Sequence, residues 1–102
     1  MIIVEGFVHL APGELERFRP AAIEMLGETQ KEAGCLDYAF AADLADPNTV
    51  RIIERWESED ALTRHFATPH MTKFNAALSE AKIVKASVKV YRADLVRTLM
   101  GD

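Results

Sequence analysis

Two histidines close to a break in a helical pattern are the residues best suited to proton transfer in this chain. His65 and His70 lie on either side of Thr68-Pro69, where one helical pattern ends and another begins, so their side chains can converge on one pocket. An imidazole takes and returns protons near neutral pH, because its ordinary pKa is about 6.5. Each histidine is a candidate base, and the alternative for each is an ordinary surface or capping histidine. The position of His65, one turn after Leu62, predicts that it faces inward, whereas His70 in a first helical turn can stay solvated.

A carboxylate on an apolar strand face is the third candidate. In TVRIIERWE, strand alternation places Glu54 on the same face as Ile52 and Trp56. A buried carboxylate is costly without a partner, so Glu54 either pairs with a cation or backbone donors, or acts as an acid or base with a raised pKa. Trp56 has two interpretations as well, as a core residue or as the wall of a cavity mouth.

Hydrophobic periodicity predicts the elements that position these residues. A helix that starts near residue 15 is expected to end near Gly34, and Pro20 either kinks it or marks its effective start near Arg19. The predicted elements are strands over 2–10, 35–44, 49–57 and 83–95, the helix before Gly34, a turn at Ala-Asp-Pro-Asn over 45–48, and a broken second helix over 58–67 and 69–78.

This βαββαβ order predicts a ferredoxin-like α+β fold, with four antiparallel strands and the helices on one face of the sheet. The strands are apolar on both sides, since Ile3 and Phe7 oppose Ile2 and Val4, and Ile53 opposes Ile52. The helices cover one face only, so a second copy packed sheet to sheet is expected to cover the other. The pattern therefore predicts a homodimer.

Composition limits the class of protein. The 102 residues are enough for one domain, predicted over 1–102, and the net charge of −4 without a basic stripe argues against a nucleic-acid partner. The longest apolar run is too short to span a membrane and no export signal is recognised, so a cytoplasmic protein without a membrane partner is expected. The single cysteine, Cys35, has no disulfide partner and is expected to be a buried small residue.

The sequence favours neither a metal nor a cofactor. No GxGxxG motif, P-loop or basic cluster supports a nicotinamide, flavin or nucleotide. His65 and His70 are five residues apart across a proline, so they do not share one helix face, and Glu54 would have to be the third ligand of a metal. A haem would need one of these histidines, with an apolar pocket built from Phe66, Phe74 and Met71.

Three stretches resemble the antibiotic-biosynthesis monooxygenase family: EAGCLDYAF over 32–40, IIERWESEDAL over 52–62 and RHFATPHMTKF over 64–74. The resemblance implies a dimeric α+β barrel and the oxidation of a small phenol or hydroquinone by O2 without a cofactor. Relatives of similar appearance include haem-degrading enzymes and a sugar-phosphate isomerase, so the fold does not determine the reaction. The haem-degrading relatives use an asparagine on the first strand, and the first strand of this chain has none.

The resemblance suggests a division of roles within one pocket. The substrate ring would lie against aromatic walls, and a base would remove its hydroxyl proton to make the ring a better electron donor for O2. The predicted base is His65, with His70 and Glu54 as alternatives, and Arg55 or Tyr38 would stabilise the oxyanion, although alternation puts Arg55 on the face opposite Trp56. The predicted aromatic walls are Tyr38, Phe40, Trp56, Phe66 and Phe74. Two other functions stay open: a module that binds a small aromatic or haem, and an isomerase or lyase of a small carbonyl compound.

Overall fold

A computed structural model describes residues 1–101. The elements are β1 (Ile2–Leu10), α1 (Glu14–Thr29), β2 (Cys35–Ala42), β3 (Thr49–Trp56), α2 (Glu59–Phe66), α3 (Pro69–Leu78) and β4 (Ile83–Arg92). Among the described residues, no helix has the length and apolar character that crossing a bilayer requires.

The four strands form one antiparallel sheet in the order β2-β3-β1-β4. Register places Glu54 of β3 between Tyr38 of β2 and Val4 of β1, so these side chains form one row on the sheet. The predicted ferredoxin-like α+β fold is confirmed, with the second helix divided into α2 and α3. One chain does not test the predicted dimer.

The core lies between the helices and one face of this sheet. Trp56 is completely buried at its centre, where Tyr38, Met25 and Leu62 also pack. Cys35 is half-buried at the edge of this core, less deeply than predicted, and burial raises the pKa of its thiol.

Helix α1 starts where it was predicted but ends earlier. It begins at Glu14 and continues through Pro20 as one helix, although proline leaves one backbone carbonyl unbonded. Packing of Phe18, Ala22 and Leu26 against the core offsets this loss. The helix ends at Thr29 and not near Gly34.

Gly34 has a different role from the helix stop that was predicted. It has a positive φ of 85°, which disfavours other residues, and a Cβ at this position would lie 2.6 Å from the Cβ of Ala61 in α2. Gly34 therefore permits the connection between α1 and β2 to pass close against α2. This contact holds Glu32, two residues earlier, beside the α2–α3 break.

Strand β4 is shorter than predicted and stands at the edge of the sheet. It ends at Arg92, and the last bond of its ladder runs from the Ala93 N–H to the Met1 carbonyl. Val84, Val88 and Val90 are exposed, because the helices do not extend over this strand. Residues 93–101 form no regular element, and Asp102, the last residue of the predicted domain, lies outside the described residues.

Candidate functional site

Two capping residues fix the break between α2 and α3. The Ser58 hydroxyl accepts a hydrogen bond from the Ala61 N–H at 3.1 Å and starts α2. The Thr68 hydroxyl donates to the His65 carbonyl at 2.7 Å and accepts from the Met71 N–H at 3.3 Å, so it joins the end of α2 to the start of α3. This junction brings the rings of His65 and His70 to a centroid distance of 6.0 Å.

Glu32 connects the two histidines. Its Oε2 lies 2.7 Å from Nδ1 of His65 and 2.7 Å from Nε2 of His70. Sequence reasoning assigned no role to this glutamate, which lies more than 30 residues away in a non-periodic connection. Its place in the EAGCLDYAF stretch, which carries part of the resemblance, was the one available signal.

The bond to Glu32 determines the protonation of His65. A carboxylate accepts hydrogen bonds, so Nδ1 of neutral His65 carries the proton and Nε2 has the free lone pair. Among residues 1–101, Nε2 of His65 is the buried side-chain nitrogen or oxygen that has no hydrogen-bond partner. Burial lowers the pKa of His65, and the hydrogen bond and charge of Glu32 oppose that effect. The side chain is 1% exposed and faces the sheet, as its helical position predicted.

Two aromatic rings and a second carboxylate surround His65. Its ring centroid lies 4.8 Å from that of Trp56 and 5.3 Å from that of Tyr38. Glu54 Oε1 accepts a hydrogen bond from Trp56 Nε1 at 2.9 Å, and Tyr38 is its register neighbour on β2. Burial raises the pKa of Glu54, whereas the neighbouring Trp56 and Tyr38 side chains lower it, and burial next to Glu54 raises the pKa of Tyr38. The hydrogen-bond partner of Glu54 is therefore an indole, and not the cation that one interpretation expected.

An apolar cavity of about 150 Å³ lies between α1 and the sheet, beside this cluster. Phe40 and Phe74 line it, together with Ile52, which precedes Glu54 on the same strand face. His65, Tyr38 and Trp56 lie deeper in the core and do not line this cavity. His70 borders a separate groove of about 60 Å³. Phe74 lines both spaces and so separates the cavity from the histidines.

Two predicted substrate-binding residues lie outside the cluster. Arg55 projects from the opposite face of the sheet, as alternation requires, and pairs there with Asp37 at 3.0 Å. Phe66, at the end of α2, is 57% exposed although its ring is 5.6 Å from that of His65. The structure therefore brings five of the predicted residues into one cluster: His65, His70, Glu54, Tyr38 and Trp56. Phe40 and Phe74 lie next to this cluster on the side of the cavity.

The cluster has two chemical capacities. A buried imidazole with a free nitrogen can accept a proton from a substrate. In addition, one ligand atom from each of Glu32, His65 and His70 lies within 4.8 Å of the others, which is a set of atoms that could hold a metal. The sequence pattern named Glu54 as the necessary third ligand, whereas the structure places Glu32 there.

Comparison with known proteins assigns the chain to a family. The antibiotic biosynthesis monooxygenase family matches residues 1–77, about three quarters of the chain, including β1 to α3 almost entirely. The chain belongs to this family. The resemblance stated from three sequence stretches is thereby confirmed.

Three proteins are similar to this antibiotic biosynthesis monooxygenase family member over most of its length. The Escherichia coli K12 protein named "Probable quinol monooxygenase YgiN" is 26% identical, over 88% of this chain and 95% of that protein. A Deinococcus radiodurans protein of known structure, provisionally assigned to the same family, is 27% identical and has a TM-score of 0.88 over 99% of this chain and 100% of its own. A conserved Methanosarcina mazei Go1 protein is also 27% identical, with a TM-score of 0.84 over 91% of this chain and 92% of its own. Together these findings support a monooxygenase-like function.

Proposed function

We propose that this protein oxidises a small phenol or hydroquinone with O2, without a cofactor, and that His65 is the base that starts the reaction. The observation that carries the proposal is the state of the two nitrogens of His65. Nδ1 is held by Glu32, and Nε2 is buried with a free lone pair. A base that lies away from water and has one oriented nitrogen is suited to remove a phenolic proton.

Proton removal makes the substrate reactive towards O2. The phenolate transfers one electron to O2, and the resulting superoxide combines with the ring radical to form a peroxide at a ring carbon. Loss of water from the peroxide leaves a quinone. One oxygen atom enters the ring and the other leaves as water, with the two hydrogens of that water supplied by the substrate. The substrate provides all four electrons that O2 accepts, so no external reductant is needed.

The apolar cavity is the proposed place for the substrate ring. A cavity of about 150 Å³ lined by apolar side chains can hold a single aromatic ring. Phe74 stands between this cavity and the groove beside His70, and it packs against Phe40 at a ring distance of 6.0 Å. We propose that rotation of Phe74 brings the substrate hydroxyl to Nε2 of His65.

Glu32 and His70 complete the proposed base. When Nε2 of His65 takes the proton, the adjacent Glu32 carboxylate stabilises the imidazolium through the 2.7 Å bond to Nδ1. His70 bonds the same carboxylate oxygen and lines the surface groove, so it offers a route for the proton to solvent. Glu54 is an alternative proton carrier. Burial raises its pKa, and it lies in the row with Val4 and Tyr38 next to the cavity.

We also propose that the protein functions as a homodimer. In one chain the sheet face opposite the helices is not covered by another layer, and Ile3, Phe7 and Ile53 are only partly buried there. Tyr91 of β4, the register partner of Ile3, lies on the same face and is exposed. A second sheet packed against this face would cover it.

Oxygen uptake by protein treated with a chelator tests the reaction. The protein is incubated with a panel of hydroquinones and phenols, and uptake is followed with an oxygen electrode. The proposal expects substrate-dependent uptake above the buffer rate and, with ¹⁸O2, one labelled oxygen atom in the quinone. Absence of uptake across the panel contradicts it. Substrate turnover under anaerobic conditions would instead indicate an isomerase or lyase that uses the same base.

A further inference from the structure

We propose that Glu32, His65 and His70 form a binding site for a divalent transition metal ion of the zinc type. The site would use Oε2 of Glu32, Nδ1 of His65 and Nε2 of His70, three atoms that lie within 4.8 Å of one another. Imidazole nitrogen and carboxylate oxygen are preferred ligands for such ions, and two histidines with one carboxylate form a recurrent three-ligand set. This inference rests on the cluster alone and does not depend on the proposed oxidation.

The distances are close to those that coordination requires. Both nitrogen-to-oxygen distances are now 2.7 Å, which is the length of a hydrogen bond. Ligands bound tetrahedrally to zinc lie roughly 3.3 Å apart, so the carboxylate of Glu32 would have to retreat by about half an ångström. The two histidine nitrogens, which lie within 4.8 Å of each other, would have to move closer together. Glu32 belongs to the connection between α1 and β2, outside any helix or strand, and its side chain retains 13% exposure. This location allows the small movement.

The surroundings favour a cation. With neutral histidines the three ligands together carry the single negative charge of Glu32. Burial raises the pKa of the nearby Glu54 carboxyl, and the charge of Glu32 adds to this effect. Lys73 lines the groove next to His70, but Glu24 pairs with it at 2.7 Å and balances its charge. The groove of about 60 Å³ gives room for water as a fourth ligand.

Metal binding would alter the protonation of the histidines. The ion would displace the protons that His65 and His70 donate to Glu32, so binding is expected to weaken as the pH falls. A metal on Nδ1 of His65 leaves the proton on Nε2, and this nitrogen then has no free lone pair. If the proposed oxidation is correct, the bound metal would therefore inhibit it.

Calorimetric titration of chelator-treated protein with Zn²⁺ tests the site directly, and Co²⁺ reports its geometry through visible absorption. The variants Glu32→Gln and His70→Gln each remove one ligand at the partly exposed side of the cluster. His9→Gln is the matched control, since His9 also contacts a carboxylate, Asp46 at 3.1 Å, but has no second histidine beside it. Circular dichroism confirms that each variant is folded.

We expect one Zn²⁺ per chain and an intense tetrahedral Co²⁺ spectrum. Each of the two ligand variants should weaken binding tenfold or more, and His9→Gln should bind like the unmodified protein. Two results would overturn the proposal. One is the absence of binding up to millimolar Zn²⁺, and the other is that folded His70→Gln and Glu32→Gln proteins bind Zn²⁺ as tightly as the unmodified protein does. Both readouts are independent of oxygen uptake, so failure of the metal site is distinct from failure of the oxidation.

Discussion

At the scale of single residues, burial and one hydrogen bond give the two nitrogens of His65 different tasks. Glu32 holds Nδ1, and the core surrounds Nε2 without offering it a partner. A buried acceptor without a partner costs stability, since it loses water and gains no protein donor. An unpaired buried acceptor in a folded protein requires an explanation, and a catalytic role in which the substrate supplies the donor is one.

The pKa of His65 predicts how activity depends on pH. Burial lowers this pKa below its ordinary value of about 6.5, and only the neutral imidazole can act as the base. The rate constant kcat/KM should therefore persist below pH 6.5 and fall as the pH drops through the lowered pKa. Glu32 raises this pKa by its hydrogen bond, so Glu32→Gln should move the acid limb to lower pH and reduce the maximum rate. A limb centred above pH 6.5 would contradict this assignment.

Replacement of Trp56 tests the partnership with Glu54. Trp56→Phe removes the indole donor from Glu54 Oε1, and the poorly solvated carboxylate should then cost about 1–3 kcal/mol of unfolding free energy at pH 7. Urea denaturation followed by circular dichroism measures this loss, since Trp56 is the one tryptophan and fluorescence is not available in the variant. In a double-mutant cycle with Glu54→Gln, a coupling below about 0.3 kcal/mol would argue against a significant bond.

The cluster residues that lie on helices or strands could be predicted from the sequence, because the hydrophobic period of the element indicates which way each side chain faces. His65 follows the helical spacing of α2 and Glu54 the alternation of β3, and both face the core as expected. Glu32 lies in a connection, where no period indicates direction, so its meeting with two histidines depends on tertiary structure. Arg55 was placed on the opposite face by alternation, and its inclusion as a donor depended on the family resemblance.

At the scale of elements, the break between α2 and α3 positions the two histidines. Ser58 and Thr68 are both capping residues, but Thr68 also bonds the carbonyl of His65 and so fixes the angle between the helices. Capping residues and Pro69 at the first helical position were readable from sequence. The behaviour of Pro20 was not, because tertiary packing outweighs the local cost of a proline within α1.

Thr68→Ala tests whether this junction matters for function. Loss of the cap should reduce unfolding free energy by about 1 kcal/mol and reduce kcat more than a surface variant of similar stability. Ser79→Ala at the end of α3 is the control, since its hydroxyl bonds the Ala76 carbonyl far from the histidines. Chemical denaturation and steady-state rates measure the two effects. Equal rates for both variants would show that the junction does not position the base.

At the scale of the whole molecule, the sequence predicted the order of the elements and the packing of the helices on one face of the sheet, but it did not predict the shape of the cavity. The hydrophobic pattern determines which strand faces are apolar, and this was enough for the antiparallel sheet with helices on one side. The cavity depends on how Phe18, Phe40 and Phe74 fill the space under α1. Such packing arises from the contact of three separate elements, which periodicity along one segment does not describe.

The uncovered sheet face predicts the state of assembly. Sedimentation at micromolar concentration should give a species of twice the 11.4 kDa chain mass. Ile53→Lys places a charge in the centre of that face and should shift the protein towards the monomer. Leu44→Lys is the matched control, because Leu44 is fully exposed in the connection between β2 and β3. A wild-type monomer, or equal dissociation by the two variants, would exclude this dimer.

The most direct test of the central claim is the oxygen-uptake rate of His65→Gln, measured with an accepted hydroquinone or phenol beside the wild type and His9→Gln. Glutamine keeps a polar side chain of similar reach but cannot accept the substrate proton. If Nε2 of His65 is the base, the variant should lose about 10²- to 10⁴-fold in kcat while His9→Gln retains the wild-type rate. A folded His65→Gln protein that consumes oxygen at the wild-type rate would contradict the account.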